Sequence, residues 1–162
     1  MKILGVDPGL QVTGYGLLDN QYGNPVLIEA GVIRSVSKQP LEQRLLDLYT
    51  GLNAILTEFR PDVLSVEELY SHYNHPRTAV IMGHARGIIF LTSGMQGIPV
   101  FSYSATRIKK SLTGSGHASK DQIARMICRV LQCEKIKGPG DVTDALAAAL
   151  CHLNVISHGG IL

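Results

Sequence analysis

Lys2-Ile3-Leu4-Gly5-Val6-Asp7-Pro8-Gly9-Leu10-Gln11-Val12-Thr13-Gly14-Tyr15-Gly16 is the stretch on which the fold turns. Residues 2–7 are a short apolar run that ends on a carboxylate, the pattern of a buried strand. Pro8-Gly9 supplies a turn, and 11–18 resumes as a second strand. Asn24-Pro25 opens a third run from Val26 to Arg34. Three short runs with tight connections predict an antiparallel meander.

Beyond Pro40 the period changes. Leu41, Leu45, Leu48, Leu52, Ile55 and Phe59 recur at a mean of about 3.6 residues, the repeat of an α-helix with one apolar face. Pro61 ends that helix, and 62–67 reads as a fourth strand. A helix over 77–91, a strand over 100–103, and helices over 105–112, 119–131 and 141–155 complete the chain. The later strands alternate with helices, which calls for parallel crossovers. The expected fold is α/β: a five-stranded mixed sheet flanked by helices, its first three strands a meander and strands one, four and five parallel.

The 162 residues set the size at one domain over 1–162. With 45% apolar residues and 17% charged, the chain can bury a core. Mean hydropathy is +0.14. Glycine, at 17 residues, is in excess of usage but spread along the chain, which points to tight turns and close backbone approaches rather than a linker. Repeats, coiled coils and low-complexity segments are excluded. Asp7 falls too early for the core of a signal peptide. His84 and Arg86 interrupt the most apolar stretch, 81–91, so no membrane span is expected. Cys128, Cys133 and Cys151 form no Cys-x-x-Cys pair and read as reduced, buried thiols of a cytoplasmic protein, with no zinc site. His72, His75, His84 and His117 are irregularly spaced and make no transition-metal motif; His84 is expected within a packed helix, and His75 and His117 in polar loops.

Carboxylates carry the chemistry. Asp7 ends the first strand, and Glu67, with Glu68 beside it, ends the fourth. Ligands of open α/β sheets bind beyond the carboxyl ends of parallel strands. Asp141 and Asp144, three apart at the start of the last helix, share one face. Alone, Asp141 reads as an N-cap, Asp144 as a partner of the helix dipole, Asp7 as a turn initiator and the glutamates as a solvated pair. Together they are harder to explain that way, because gathered acids repel unless cations neutralise them. All-oxygen ligation suits Mg²⁺ or Mn²⁺.

Asp7-Pro8-Gly9 with Thr13-Gly14-Tyr15-Gly16, Val66-Glu67-Glu68-Leu69-Tyr70, Gly83-His84-Ala85-Arg86-Gly87, Lys109, Gly114-Ser115-Gly116-His117-Ala118-Ser119-Lys120 and Asp141-Val142-Thr143-Asp144-Ala145-Leu146-Ala147 closely resemble, in order, the RuvC family of bacterial Holliday junction resolvases. The resemblance spans residues 3 to about 152 and implies a ribonuclease H-like fold. It implies a crossover junction endodeoxyribonuclease of recombination and DNA repair, making paired symmetric nicks that leave 5′-phosphate and 3′-hydroxyl ends. The family's catalytic tetrad carries over onto Asp7, Glu67, Asp141 and Asp144. These acids would hold two Mg²⁺ per site, with Mn²⁺ able to substitute. Glu67 is preferred to Glu68 because the family places an aromatic three residues after its glutamate, and Tyr70 fits. Some members carry His at the position of Asp141. Lys120 resembles the family's lysine near the scissile phosphate.

The resemblance also implies a DNA-binding set of Tyr70, Arg77, Lys109 and Lys120. Tyr70, where the family usually has Phe, would stack on bases near the exchange point. The 15 basic and 13 acidic residues leave a net charge of +2. Neutralising the four site acids makes the loaded protein more basic, and Arg107, Lys109, Lys110 and Lys120 are candidates for a phosphate-tracking face. Ala79, Gly83 and Gly87 form a small-residue stripe on their helix. It reads equally as packing onto the sheet or against another chain; the resemblance implies a homodimer, along with a junction-binding protein and a branch-migration helicase as partners. Competing readings are a ribonuclease H-like nuclease acting on RNA, a non-catalytic junction-binding module, and an actin-like ATPase or sugar kinase. The last needs two such domains, more than 162 residues supply.

Overall fold

The computed structural model describes residues 1–69, 76–157 and 159. Its five strands are β1 (Lys2–Asp7), β2 (Val12–Gln21), β3 (Asn24–Arg34), β4 (Val63–Glu67) and β5 (Val100–Tyr103). They form one sheet in the order β3-β2-β1-β4-β5. β1, β2 and β3 pair antiparallel, whereas β1–β4 and β4–β5 pair parallel. The meander and the parallel set are as the sequence predicts. The chain enters β4 beside β1 rather than beside β3, so β3 runs in the same direction as β4 but lies at the far edge.

The helices are α1 (Leu41–Phe59), α2 (Pro76–Met95), α3 (Ala105–Thr113), α4 (Lys120–Val130) and α5 (Gly140–Ser157). Strand alternation sorts the core into two layers. Leu4 and Val6, Leu17, Leu64 and Val66 face Leu52, Ile55 and Leu56 of α1 and Ile89 of α2. Ile3, Leu18, Val63 and Tyr103 face α5, over which Ile108 and Leu112 of α3 and Ile123 and Ile127 of α4 close. α5 is therefore a central helix, buried at eleven positions along its length.

Two elements run further than their apolar patterns indicate. β2 continues to Gln21 because Tyr22 and Gly23, both at positive φ, make a two-residue turn that pairs Gln21 with Asn24. The polar residues Asp19, Asn20 and Gln21 hold this ladder without a hydrophobic signature. α2 passes through Thr92 and Ser93 to Met95 because their hydroxyls donate to the Ile88 and Ile89 carbonyls at 2.7 and 2.9 Å, satisfying them inside the helix.

Two expectations are corrected, and one alternative reading, Asp141 as an N-cap, falls away. Only Cys151 is buried; Cys128 and Cys133 are half-buried, and all three are free thiols. His84 lies in α2 but on its exposed side. Asp141 sits inside the first turn of α5, which begins at Gly140, and so is not its N-cap. His117 is in an exposed loop as expected, while His72 and His75 lie outside the described residues. Among the described residues no helix is long and apolar enough to cross a membrane.

Candidate active site

The site begins with alternation along β1 and β4. Ile3, Gly5 and Asp7 point to one face, and Val63, Ser65 and Glu67 to the same face. Gly5 pairs with Ser65 and Val6 with Val66, so Asp7 and Glu67 are the next residues on adjacent parallel strands. Asp7 leaves β1 into a turn that Thr13 closes, its buried hydroxyl donating to the Gly9 carbonyl at 2.5 Å.

What brings the second pair of acids there is the seating of α5. A β-carbon on Gly14 would lie 2.1 Å from the Asp141 carbonyl oxygen, and one on Gly5 would lie 1.9 Å from that of Ala145. Farther along, the Ser65 hydroxyl donates to the Ala148 carbonyl at 2.7 Å. Asp141, Ala145 and Ala148 are spaced by four and three, one face of the helix. That face crosses β2 at Gly14, β1 at Gly5 and β4 at Ser65, with Asp144 projecting from between the contacts. Glycine is needed at positions 5 and 14 because backbone meets backbone there.

The electrostatics record the resulting crowding. Asp7 is raised from 3.8 to about 7, first by burial and then by the charges of Asp144, Glu67 and Asp141, with Lys120 opposing. Glu67 is also raised, by burial and by Asp144, while Lys109 and Lys120 pull it down. Lys120, the first residue of α4, donates to Asp144 Oδ2 at 3.0 Å, and this bond holds its ammonium above the usual lysine range. Ser119 and Gln122 form a capping box that fixes the start of α4, so Lys120 is presented at a defined helix end. Glu67, Asp144, Lys109 and Lys120 line a cleft of about 220 Å³, floored by Ile108, Ile123 and Ala147.

The sequence-predicted residues thus sort clearly. Asp7, Glu67, Asp141, Asp144, Lys109 and Lys120 come together at one end of the sheet. Glu68 is exposed beyond the strand. Arg107 and Lys110 are exposed on α3, Arg107 lying over the Tyr103 ring at 5.2 Å. Tyr70 lies outside the described residues, and so does the side chain of Arg77, whose backbone is in the first turn of α2. Two contributors carry no chemical signal of their own. Ser65 is a single small polar residue between the apolar Leu64 and Val66 of β4. The role of Gly5 and Gly14 depends on register, which the sequence does not print.

The donor set fits a hard divalent cation. All four acids offer oxygen only, and Asp7 and Glu67 are held above their ordinary range first by burial and then by the neighbouring acids, a cost that such a cation relieves. The fit is electrostatic rather than a finished shell: among the described residues, no three acidic, His or Cys side chains stand close enough to form a ready ligand cluster.

A sheet in this order, with acids ending β1 and β4 and acids on the helix laid across them, defines the ribonuclease H-like class of fold. The family model described as "Crossover junction endodeoxyribonuclease RuvC" matches residues 3–152. A protein of that name from Rhodopirellula baltica is 43% identical over 149 residues, covering 92% of this chain and 84% of its own. Another from Caldicellulosiruptor saccharolyticus is 40% identical over 154 residues, covering 94% and 92%. Among solved structures, Thermus thermophilus RuvC in complex with a Holliday junction substrate superposes with a TM-score of 0.90 at 25% identity, covering 99% and 98%. The yeast mitochondrial Holliday junction resolvase shares the fold, with a TM-score of 0.70 at 13% identity over 98% of this chain and 81% of its own. The chain belongs to the RuvC family of crossover junction endodeoxyribonucleases.

Proposed function

We propose that this protein is a divalent-metal-dependent endonuclease that resolves four-way DNA junctions by paired symmetric nicks. The observation that carries the reading is the gathering of Asp7, Glu67, Asp141 and Asp144 at one end of the sheet, with Lys109 and Lys120 at the adjoining cleft. It is supported by family membership over nearly the whole chain and by likeness to a resolvase solved with its junction.

In this reading the four carboxylates would hold two Mg²⁺, or Mn²⁺ in their place. When bound, the metal supplies Lewis-acid activation of water and neutralises charge developing on the departing 3′ oxygen. The chain's own part is placement. Strand ends β1 and β4 hold Asp7 and Glu67 rigidly, and the seating of α5 brings Asp141 and Asp144 to them. Lys109 and Lys120 would attract the phosphate, Lys120 from the helix end where it pairs with Asp144. Arg77 and Tyr70 extend the DNA-binding set, with Tyr70 stacking on unpaired bases, a contact worth roughly 1–3 kcal/mol per base. Hydrolysis leaves a 5′-phosphate and a 3′-hydroxyl, which ligase can seal.

Two nicks related by symmetry require two sites related by symmetry. The exposed side of α2 offers a surface for a second copy: Val80, Phe90, Leu91 and Met95 are exposed, and Gly83 and Gly87 open onto free space. We place the dimer contact there. The junction-binding protein and branch-migration helicase of the same pathway, and a cytoplasmic location, belong to this reading too.

The test is cleavage of a synthetic mobile four-way junction beside a linear duplex and an RNA–DNA hybrid, with Mg²⁺ and with EDTA. Paired, directly ligatable nicks in the junction alone, and only with Mg²⁺, are expected. Cutting of the hybrid instead moves the substrate to RNA. Binding of the junction without cutting in any metal overturns the catalytic reading.

A further inference from the structure

Arg86 belongs to a motif that the site as described leaves without a role. It lies on the inner side of α2, half-buried, on the face of the sheet opposite α5. One guanidinium nitrogen donates to the backbone carbonyl of Glu67. The other donates to Ser102 Oγ on β5 at 2.7 Å. Phe90, one turn along the same helix, lies against the guanidinium at 4.9 Å from its ring centroid. Among the described residues no carboxylate lies within ion-pair distance of Arg86. A partly desolvated cation is costly unless hydrogen bonds or opposite charge compensate it; Glu68 acts on Arg86 only at longer range, so its close compensation is these two hydrogen bonds.

Their purpose is legible in the ladder. The β1–β4 pairing ends at Val6 and Val66, because the chain turns away at Pro8-Gly9. The Glu67 carbonyl therefore lies one residue beyond the last pair with β1. On the other side, the Glu68 amide still donates to the Tyr103 carbonyl at 2.9 Å. Arg86 supplies the donor that β1 no longer can.

We propose that Arg86 is a positioning residue, its guanidinium bridging β4 and β5 so that the last residue of β4 holds the Glu67 carboxylate toward the cleft. Arginine suits this task because its planar fork reaches two acceptors at once; a lysine ammonium at the same place reaches one. The bridge starts from α2, and Phe90, which rests on Arg86, is itself part of that helix's exposed apolar side. The proposal rests on the nuclease reading for its kinetic consequence but not for its structural one.

The test uses the full chain with Arg86→Gln, Arg86→Lys and Ser102→Ala. Arg86→Gln should lower kcat for junction nicking by on the order of 10²-fold, the loss expected when a reacting group is misplaced by about an ångström. KM, and junction affinity in EDTA, should stay unchanged. Arg86→Lys should recover part of kcat, and Ser102→Ala, which leaves the Glu67 bond, should lose less than Arg86→Gln. Independently of activity, hydrogen exchange at the Glu68 amide should accelerate in Arg86→Gln, while that at Leu64 stays protected. Unchanged Glu68 exchange in a folded variant overturns the proposal, as does a loss appearing only in junction affinity. If the wild-type protein cuts no junction but Glu68 exchange responds as expected, the nuclease reading fails and the positioning role stands. Should Arg86→Gln not fold, Ser102→Ala and Arg86→Lys carry the same comparison.

Discussion

Asp7→Asn is expected to abolish junction nicking and, in the same protein, to raise the melting temperature in EDTA. The two effects have one cause. Asp7 faces three other acids in a partly buried place, and its carboxyl is raised to about 7 from 3.8. The folded state therefore binds that proton more tightly than the unfolded chain does, and stability falls as pH rises from about 4 to about 7. At neutral pH and above, keeping Asp7 ionised costs on the order of 4 kcal/mol. Asparagine has no charge to repel, so it recovers part of that cost, a gain of several degrees at pH 8 that shrinks as pH falls and vanishes below about pH 4. Asparagine also removes an anionic oxygen from the metal-holding set, and the nicking rate should drop on the order of 10³-fold or more. Melting curves across pH 4–8 and single-turnover nicking of a four-way junction measure the two sides. A variant that loses nicking without gaining stability would mean that Asp7 is not under the strain described.

Gly14→Ala should fail for a different reason. Gly14 pairs with Asp7 across the β1–β2 ladder, and its missing side chain makes room for the start of α5. An added β-carbon would meet the carbonyl oxygen of Asp141 at 2.1 Å and its carbonyl carbon at 2.3 Å. Neither can rotate away, so the first turn of the helix must retreat and take Asp141 and Asp144 with it. We expect a loss of about 1–3 kcal/mol in stability, the usual penalty of overpacking. A nicking loss on the order of 10²-fold should accompany it, from displaced carboxylates. Gly16→Ala is the informative contrast. Its β-carbon meets the Leu146 side chain, at 2.4 Å from Cδ2, and a side chain can move where a backbone cannot. Gly16→Ala should therefore keep more activity than Gly14→Ala. Equal activity in wild type and Gly14→Ala would show that the seating of α5 does not place its acids.

The legible and illegible parts of this chain differ in physical kind. Period-two alternation puts Asp7 and Glu67 on one sheet face, and a 3.6-residue period puts Asp141 and Asp144 on one helix face. These are local properties, and a sequence displays them. The meander was readable from turn residues, but not its full length, because β2 extends to Gln21 through polar residues held by the Tyr22-Gly23 turn. The apolar pattern of α2 ends at Leu91, and the helix runs on to Met95 because the hydroxyls of Thr92 and Ser93 bond back into it. The role of Gly5 and Gly14 and the reach of Arg86 to Glu67 depend on register and on elements far apart in the chain. Nothing local announces them. The aspartate at 141 shows the converse, since its capping chemistry fits an N-terminus that in fact begins one residue earlier.

The most direct measurement is a pH titration of the Asp7 carboxyl carbon by NMR, in metal-free protein and again with saturating Mg²⁺. If Asp7, Glu67, Asp141 and Asp144 form one cation-requiring site, Asp7 titrates near 7 without metal and falls far below that when Mg²⁺ is present. An Asp7 that titrates near its ordinary value of 3.8 and ignores Mg²⁺ would contradict the single-site assignment.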